Sequence, residues 1–211
     1  MRVGMIGGTF DPIHAGHLIL AEQARDQLAL AQVVFVPAGQ PPHKPKKQIT
    51  AAHHRLAMVE LAIADYDAFA VSRIDLDREG PCYSVDTITL LQESWGPEAK
   101  IYFLIGEDSL RDLPKWHQPD RLLRLCQIVA VQRPGYSVDP NALDKQLAGA
   151  ADRIQTIASP LIDISSTEIR ERVRENRSIR YLVPEPVRRY IEQHNLYTAH
   201  RSEENAPWKT P

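Results

Sequence analysis

The sequence predicts an α/β protein built on a doubly wound parallel sheet. Two observations predict it. Short β-branched runs alternate with segments of helical period, the pattern of parallel βαβ units. The runs also end in glycine- or proline-rich stretches, where such sheets hold ligands beyond the carboxyl ends of their strands. "RVGMI" (2–6) is apolar and ends in glycines, hence a buried strand. From Ala15 to Leu30, Leu18, Ala21, Ala24 and Leu28 recur at spacings of three and four, which makes a helix. "QVVFV" (32–36) is a second strand, stopped by Pro37. The four prolines of "PAGQPPHKPKK" (37–47) rule out a regular element there. A helix is predicted at about 50–64, a strand at 69–74 and a helix at about 84–94. "KIYFLIG" (100–106) is the most strand-like segment, followed by strands at 127–133 and, more weakly, 153–157. Helices at about 166–175 and 184–194 form a small C-terminal helical part. Residues 1–197 read as one domain and 198–211 as a polar C-terminal tail.

Composition narrows the function. Of 211 residues 43% are hydrophobic, enough for a full core, and the net charge of −2 gives no field for nucleic acid or a membrane surface. Cys82 and Cys126 form neither a disulfide framework nor a CxxC pair, which suits a reducing compartment. No stretch is apolar and long enough to span a bilayer, and the N-terminus lacks a signal peptide's apolar core. The expectation is a cytoplasmic protein. The sequence leaves a homo-oligomer open.

The loops at 7–17, 37–47, 75–83, 106–117 and 132–136 therefore carry the functional question. In "GGTFDPIHAGHL" (7–18), Gly7 and Gly8 let the main chain approach a ligand closely. The helix that follows offers unpaired N–H groups and a positive dipole end. His14 and His17, three apart, share a face at its mouth, with Gly16 leaving room beside them. One reading is a plain strand-to-helix turn with incidental histidines. A second is a metal site of Asp11, His14 and His17, which lacks the usual further His or Cys ligands nearby. A third is a phosphate site with the imidazoles as donors, and it alone uses both glycines and histidines. Neither a G-x-x-x-x-G-K-[ST] nor a G-x-G-x-x-G pattern is present. Near the other end, "ISSTEIR" (164–170) places Ser165 and Glu168 as a capping box, with Arg170 beside the same helix start. A hydroxyl, main-chain N–H groups and a guanidinium suit a phosphate.

A T-x-x-x-x-H-x-G-H stretch after the first strand, paired with I-S-S-T-x-I-R, resembles the adenylyl- and cytidylyltransferases of the nucleotidyltransferase superfamily. "PPHK" (41–44), "AIAD" (62–65), "PCYSVDT" (81–87), "IGEDSL" (105–110), "PKWH" (114–117), "RPGY" (133–136) and "LVPEPVRRYI" (182–191) then follow in order. Together these make the chain similar to bacterial nicotinate-nucleotide adenylyltransferases over residues 1 to 197. Gln132 departs from the pattern where many relatives have an Arg, and it puts one phosphate contact in doubt.

The resemblance implies a Rossmann-like nucleotidyltransferase fold and transfer of AMP from ATP to nicotinic acid mononucleotide, giving deamido-NAD and pyrophosphate. It implies that His14, His17 and Arg170 are catalytic, and that ATP also meets Gly7, Gly8, Thr9, Phe10, Gly106, Asp108, Ser166 and Thr167. It implies a mononucleotide site of His43, Lys44, Tyr83, Ser84, Thr87, Asp108, Trp116 and Arg133, with Trp116 stacking on the pyridinium ring. Tyr83, Ser84 and Thr87, at a helix start, would supply donors to the nicotinate carboxylate, against the plain reading of Ser84 as an N-cap. Mg²⁺ would arrive with ATP, without a dedicated protein cage. The rival readings are another adenylyltransferase of the superfamily, such as one acting on pantetheine phosphate, or a non-catalytic nucleotide-binding module. An NAD-dependent oxidoreductase is disfavoured by the missing G-x-G-x-x-G and by the missing carboxylate after the second strand.

Overall fold

The structure is a computed structural model and describes residues 1–40, 49–132, 143–160 and 162–198, with Glu107 and Asp108 described by backbone alone. Among the described residues six strands make one parallel sheet in the order β3-β2-β1-β4-β5-β6. They are β1 (Arg2–Gly8), β2 (Gln32–Pro37), β3 (Phe69–Val71), β4 (Lys100–Gly106), β5 (Gln127–Gln132) and β6 (Ile154–Ala158). The order reverses between β1 and β4, so the chain leaves these two strands in opposite senses and opens a crevice at their carboxyl ends.

Both faces of the sheet are covered, which explains why its strands read as continuous apolar runs. Alternate residues serve opposite cores. Met5 and Phe103 pack on one side with Val85, Ile88 and Leu91 of α3 (Ser84–Trp95). Ile6 and Leu104 pack on the other with Ala21 and Ala24 of α1 (Ala15–Gln27) and with Met58 and Val59 of α2 (Ala52–Ile63). The small-residue stripe of α1 lets it lie close to the sheet. Two terminal helices, α7 (Ser166–Arg174) and α8 (Glu185–Gln193), close the second core through Ile169, Val187 and Ile191.

Several expectations need correction. The strand predicted at 69–74 ends at Val71, because β3 lies at the sheet edge and pairs only with Val33, Val34 and Phe35. The helix predicted to Leu30 ends at Gln27, and Ala29 turns the chain with φ 47°. The stretch 106–117, read as a loop, holds α4 (Glu107–Asp112) and a 3₁₀ turn (Leu113–Lys115). Helices α5 (Pro119–Leu125) and α6 (Ala150–Arg153) were not expected. For α5 the signals exist, since Pro119 opens it and Asp120 lies in its first turn. Residues 41–48, 133–142 and 199–211 lie outside the described residues, and with them His43, Lys44, Arg133 and nearly all of the predicted tail. No helix among the described residues is long and apolar enough to cross a membrane.

One backbone approach fixes a wall of the crevice. A Cβ on Gly39 would sit 2.1 Å from the Asp75 carbonyl oxygen. Beside it, the Gln40 N–H donates to Cys82 Sγ at 3.3 Å, and the Cys82 N–H donates to the Gln40 carbonyl at 3.0 Å. Neither backbone can yield without losing these bonds. Gly39→Ala is expected to lower the free energy of unfolding by about 1–3 kcal/mol in urea titration. A loss below about 0.5 kcal/mol would mean that the two segments slide apart freely.

Candidate active site

The crevice is a cleft of about 440 Å³ lined by the carboxyl ends of β1, β2, β4 and β5 and by the starts of α1, α3 and α7. One end of it begins at the turn between β1 and α1. This turn makes few hydrogen bonds within itself, and its carbonyls are held from outside. Arg55 Nη1 donates to the Thr9 carbonyl at 2.8 Å, Arg170 Nη1 to that of Asp11 at 2.7 Å, and the Ser166 hydroxyl to that of Pro12 at 2.9 Å. The two distant sequence motifs thus meet directly.

His14 is the N-cap of α1 and His17 its third residue. Their rings stack, with centroids 3.7 Å apart and planes at 27°. The His14 N–H donates to His17 Nδ1 at 3.2 Å, so a neutral His17 carries its proton on Nε2. Phe10 buttresses His17 edge-on at 5.0 Å from the core side. The Phe10 ring is fully buried, so only its main chain is available to a nucleotide. His14 Nδ1 is buried and has no hydrogen-bond partner among the described residues, and a Cβ on Gly16 would stand 3.1 Å from it. Gly16 therefore makes room for the His14 ring as well as for a ligand. Asp11, weighed above as a metal ligand, directs its carboxylate elsewhere, to the Tyr197 hydroxyl (2.7 Å) and the Thr50 N–H (3.2 Å).

In α7 the Ser165 hydroxyl accepts from the Glu168 N–H at 3.1 Å, as the capping box predicts, while the Glu168 carboxylate pairs with Arg172 at 2.8 Å. Ser166 lines the cleft, and Arg170 Nη2 also donates to Thr167 Oγ1 at 3.3 Å. Of the glycines, Gly7, Gly8 and Gly106 line the cleft too, and a Cβ on Gly106 would meet nothing within 4 Å.

The other end belongs to α3. Ser84 is the first residue of this helix, and the N-cap is Tyr83, whose side chain caps nothing. The plain reading of Ser84 as an N-cap is thereby corrected. The Ser84 and Val85 N–H groups have no acceptor among the described residues, and Ser84 lies at the cleft. The Tyr83 ring is braced by His117, stacked at 4.3 Å. Trp116 is partly exposed, lines the cleft and leans on Phe103 at 6.1 Å. Thr87 requires a correction. Its hydroxyl is buried and lies 2.8 Å from Asp75 Oδ1 and 3.1 Å from the Tyr83 carbonyl, so it is no free donor for a ligand. Arg78 adds bonds to Asp75 (2.9 Å) and Thr87 (3.3 Å), which makes Thr87 part of the brace that orients α3. Burial raises the Asp75 carboxyl, against the pull of the Thr87 hydrogen bond and the Arg78 charge.

Sequence reasoning missed Arg55, Asp75, Arg78 and Tyr197. Arg55 had a signal. It stands three and four residues before Met58 and Val59, on the buried face of α2, where a lone charge demands partners.

The chain matches the cytidylyltransferase-like family model over residues 5–172. A relative from Thermomicrobium roseum, bearing the name "Probable nicotinate-nucleotide adenylyltransferase", is 49% identical, covering 93% of this chain and 91% of that protein. The chain belongs to this family. A nicotinate-nucleotide adenylyltransferase relative from a Thermoanaerobacter species is 44% identical over 97% of each chain. The fold matches a Plasmodium falciparum nicotinic acid mononucleotide adenylyltransferase solved with NaAD, with a TM-score of 0.75 at 21% identity, covering 93% of this chain and 97% of that one.

Burial lowers His14 to about 4, and it lowers His17 well below the ordinary value, helped by the His14 charge. In this family member both imidazoles are therefore neutral at pH 7. Between these depressed values and 6.5 the unfolded chain binds protons that the native state refuses. Stability is then full above pH 6.5 and falls as the pH drops towards 4, by up to about 3 kcal/mol from His14 alone. Urea unfolding of the wild type and of a His14→Asn/His17→Asn double variant from pH 7.5 to 4.5 checks this. The expected result is a shallower loss in the double variant, and equal slopes would refute it.

Proposed function

We infer that the protein transfers AMP from ATP to nicotinic acid mononucleotide, releasing pyrophosphate and forming deamido-NAD. The observation that carries this reading is the continuity of one cleft, which runs from His14, His17 and Ser166 to Ser84 and Trp116. A phosphate set and a pyridine set share a single space. The phosphate of the mononucleotide is already a nucleophile at neutral pH, so it can attack the α-phosphorus in line without a general base. The protein needs to position two polyanions and to stabilise charge. The unpartnered His14 ring, the Nε2–H of His17, the start of α1 and Arg170 are suited to the oxygens of ATP. Ser166 and Thr167, at the start of α7, are suited to the departing phosphates. Gly7, Gly8, Thr9, Phe10 and Gly106 contribute main chain near the nucleotide, and Asp108 is assigned to ribose hydroxyls.

Trp116 is assigned to the pyridinium face. The free N–H of Ser84 at the start of α3 suits a carboxylate, which accepts everywhere, better than a carboxamide, whose NH₂ would face another donor. His43, Lys44 and Arg133 complete the proposed mononucleotide site from segments outside the described residues. The donors of the cleft are N–H and O–H groups suited to anions. Mg²⁺ would arrive with ATP and be held by phosphates and water, where it screens their mutual repulsion.

Pyrophosphate release from ATP, measured with a panel of acceptors, tests the reaction. Nicotinic acid mononucleotide is expected to exceed nicotinamide mononucleotide in kcat/KM by about a hundredfold. A preference for the amide, or turnover only with pantetheine phosphate, would replace this substrate. His17→Ala is expected to remain folded and to lose about a hundredfold in kcat, the scale for one transition-state donor. Near-normal turnover in that variant would remove His17 from the phosphate site.

A further inference from the structure

The first turn of the site is tied to the far end of the chain. Tyr197 lies 186 residues from Asp11 in sequence, yet its hydroxyl donates to Asp11 Oδ1 at 2.7 Å. The other carboxylate oxygen takes the Thr50 N–H at 3.2 Å. With both oxygens occupied the Asp11 side chain cannot rotate, and its residue plane is fixed. The Asp11 carbonyl then points at Arg170 Nη1, 2.7 Å away. Arg55 completes the frame. Its fully buried guanidinium bonds to the carbonyls of Thr9 (2.8 Å) and Thr50 (2.9 Å) and takes Asp11 as its countercharge. Tyr197 thus joins the end of the described chain to a turn whose neighbours are His14 and Arg170.

We propose that Tyr197 is a positioning residue for ATP. Its hydroxyl orients Asp11, and Asp11 holds the turn and the Arg170 guanidinium in the geometry that receives the phosphates. Tyr197 touches no substrate itself. A hydroxyl kept only for stability would act on unfolding alone. One that sets the turn must also change how phosphates are bound.

The same packing supplies a control. The Tyr190 hydroxyl lies 2.9 Å from His54 Nδ1, between α8 and α2, and does not reach the turn. Tyr190→Phe therefore removes a hydroxyl from the terminal helix without touching Asp11.

The test compares Tyr197→Phe, Tyr190→Phe and the wild type, all well below their melting temperatures. Calorimetry gives the Kd of an α,β-methylene analogue of ATP, and kinetics gives kcat and the KM of the acceptor. For Tyr197→Phe the analogue is expected to bind about tenfold more weakly and kcat to fall about tenfold, with the acceptor KM within twofold. Tyr190→Phe is expected to lose melting temperature only. Analogue affinity and kcat within twofold of wild type in Tyr197→Phe, whatever its melting temperature, would overturn the proposal. So would an equal weakening of both substrates, which is the mark of general loosening. Should Tyr197→Phe be too unstable for calorimetry, the same readings are taken on it in the cold with a stabilising osmolyte, with Tyr190→Phe and the wild type under identical conditions. The kinetic arm rests on the adenylyl-transfer reading above. If the wild type makes no dinucleotide, that reading fails, while the analogue titration still decides the role of Tyr197.

Discussion

The turn from Thr9 to Ile13 can hardly hold itself. It bends sharply between a strand and a helix, with Phe10 at φ 48° and a proline in place of one N–H. Its carbonyls are therefore satisfied by three side chains from two other parts of the fold, Arg55 of α2 and Ser166 and Arg170 of α7. Leaving a buried acceptor of this kind unpaired costs about 1–3 kcal/mol. The packing of α2 and α7 against the sheet is thus what allows the turn to exist. The position of His14 follows from it, because the cap of α1 can stand only where the turn delivers it. From the other direction, the Ala15 N–H donates to the Leu182 carbonyl at 2.9 Å, so the C-terminal part pins the helix start as well.

A second constraint shapes the other wall. The start of α3 must present bare N–H groups, so no side chain may cap it. The helix is instead oriented from behind by Asp75, Arg78 and Thr87. The exposed ends of this brace are few. Asp75 and Thr87 are buried, and only Arg78 keeps part of its surface in water. Such a network is strong only while every member is satisfied. It fixes the angle of α3 with hydrogen-bonding groups already spent on one another, although Asp75 and Thr87 also border the cleft.

What the sequence made legible divides along the same line. Strands and long helices were readable because burial on both faces writes itself as apolar runs and helical spacing. The two motifs at 7–18 and 164–170 were readable because glycines, histidines and a capping box have local geometric meaning. Their meeting through Ser166 and Pro12 was not, since nothing local records a bond across 154 residues. Thr87 was misjudged for a related reason. Its place in the first turn of α3 is local, whereas its partner Asp75 lies in the preceding loop. The short α4 and α5 were lost because seven residues or fewer carry too little period to separate helix from loop. Tyr197 carries no local signal, and only the folded chain shows its hydroxyl on Asp11.

The neutral histidine pair bears on rate as well as on binding. On the adenylyl-transfer reading, a cationic site would grip ATP and pyrophosphate as firmly as the transition state, and uniform binding of that kind does not raise turnover. Neutral imidazoles hold the ground state with single hydrogen bonds. As bond making and breaking shift charge onto the phosphoryl oxygens, the same fixed donors bind more strongly, because the cleft has already excluded much of the water that would compete. Stacking at 3.7 Å then serves a purpose beyond packing. It keeps one imidazole from protonating beside the other, so the pair remains a donor surface and not a counterion. The burial that makes these histidines poor bases is therefore the feature that suits them to a reaction in which no proton has to move.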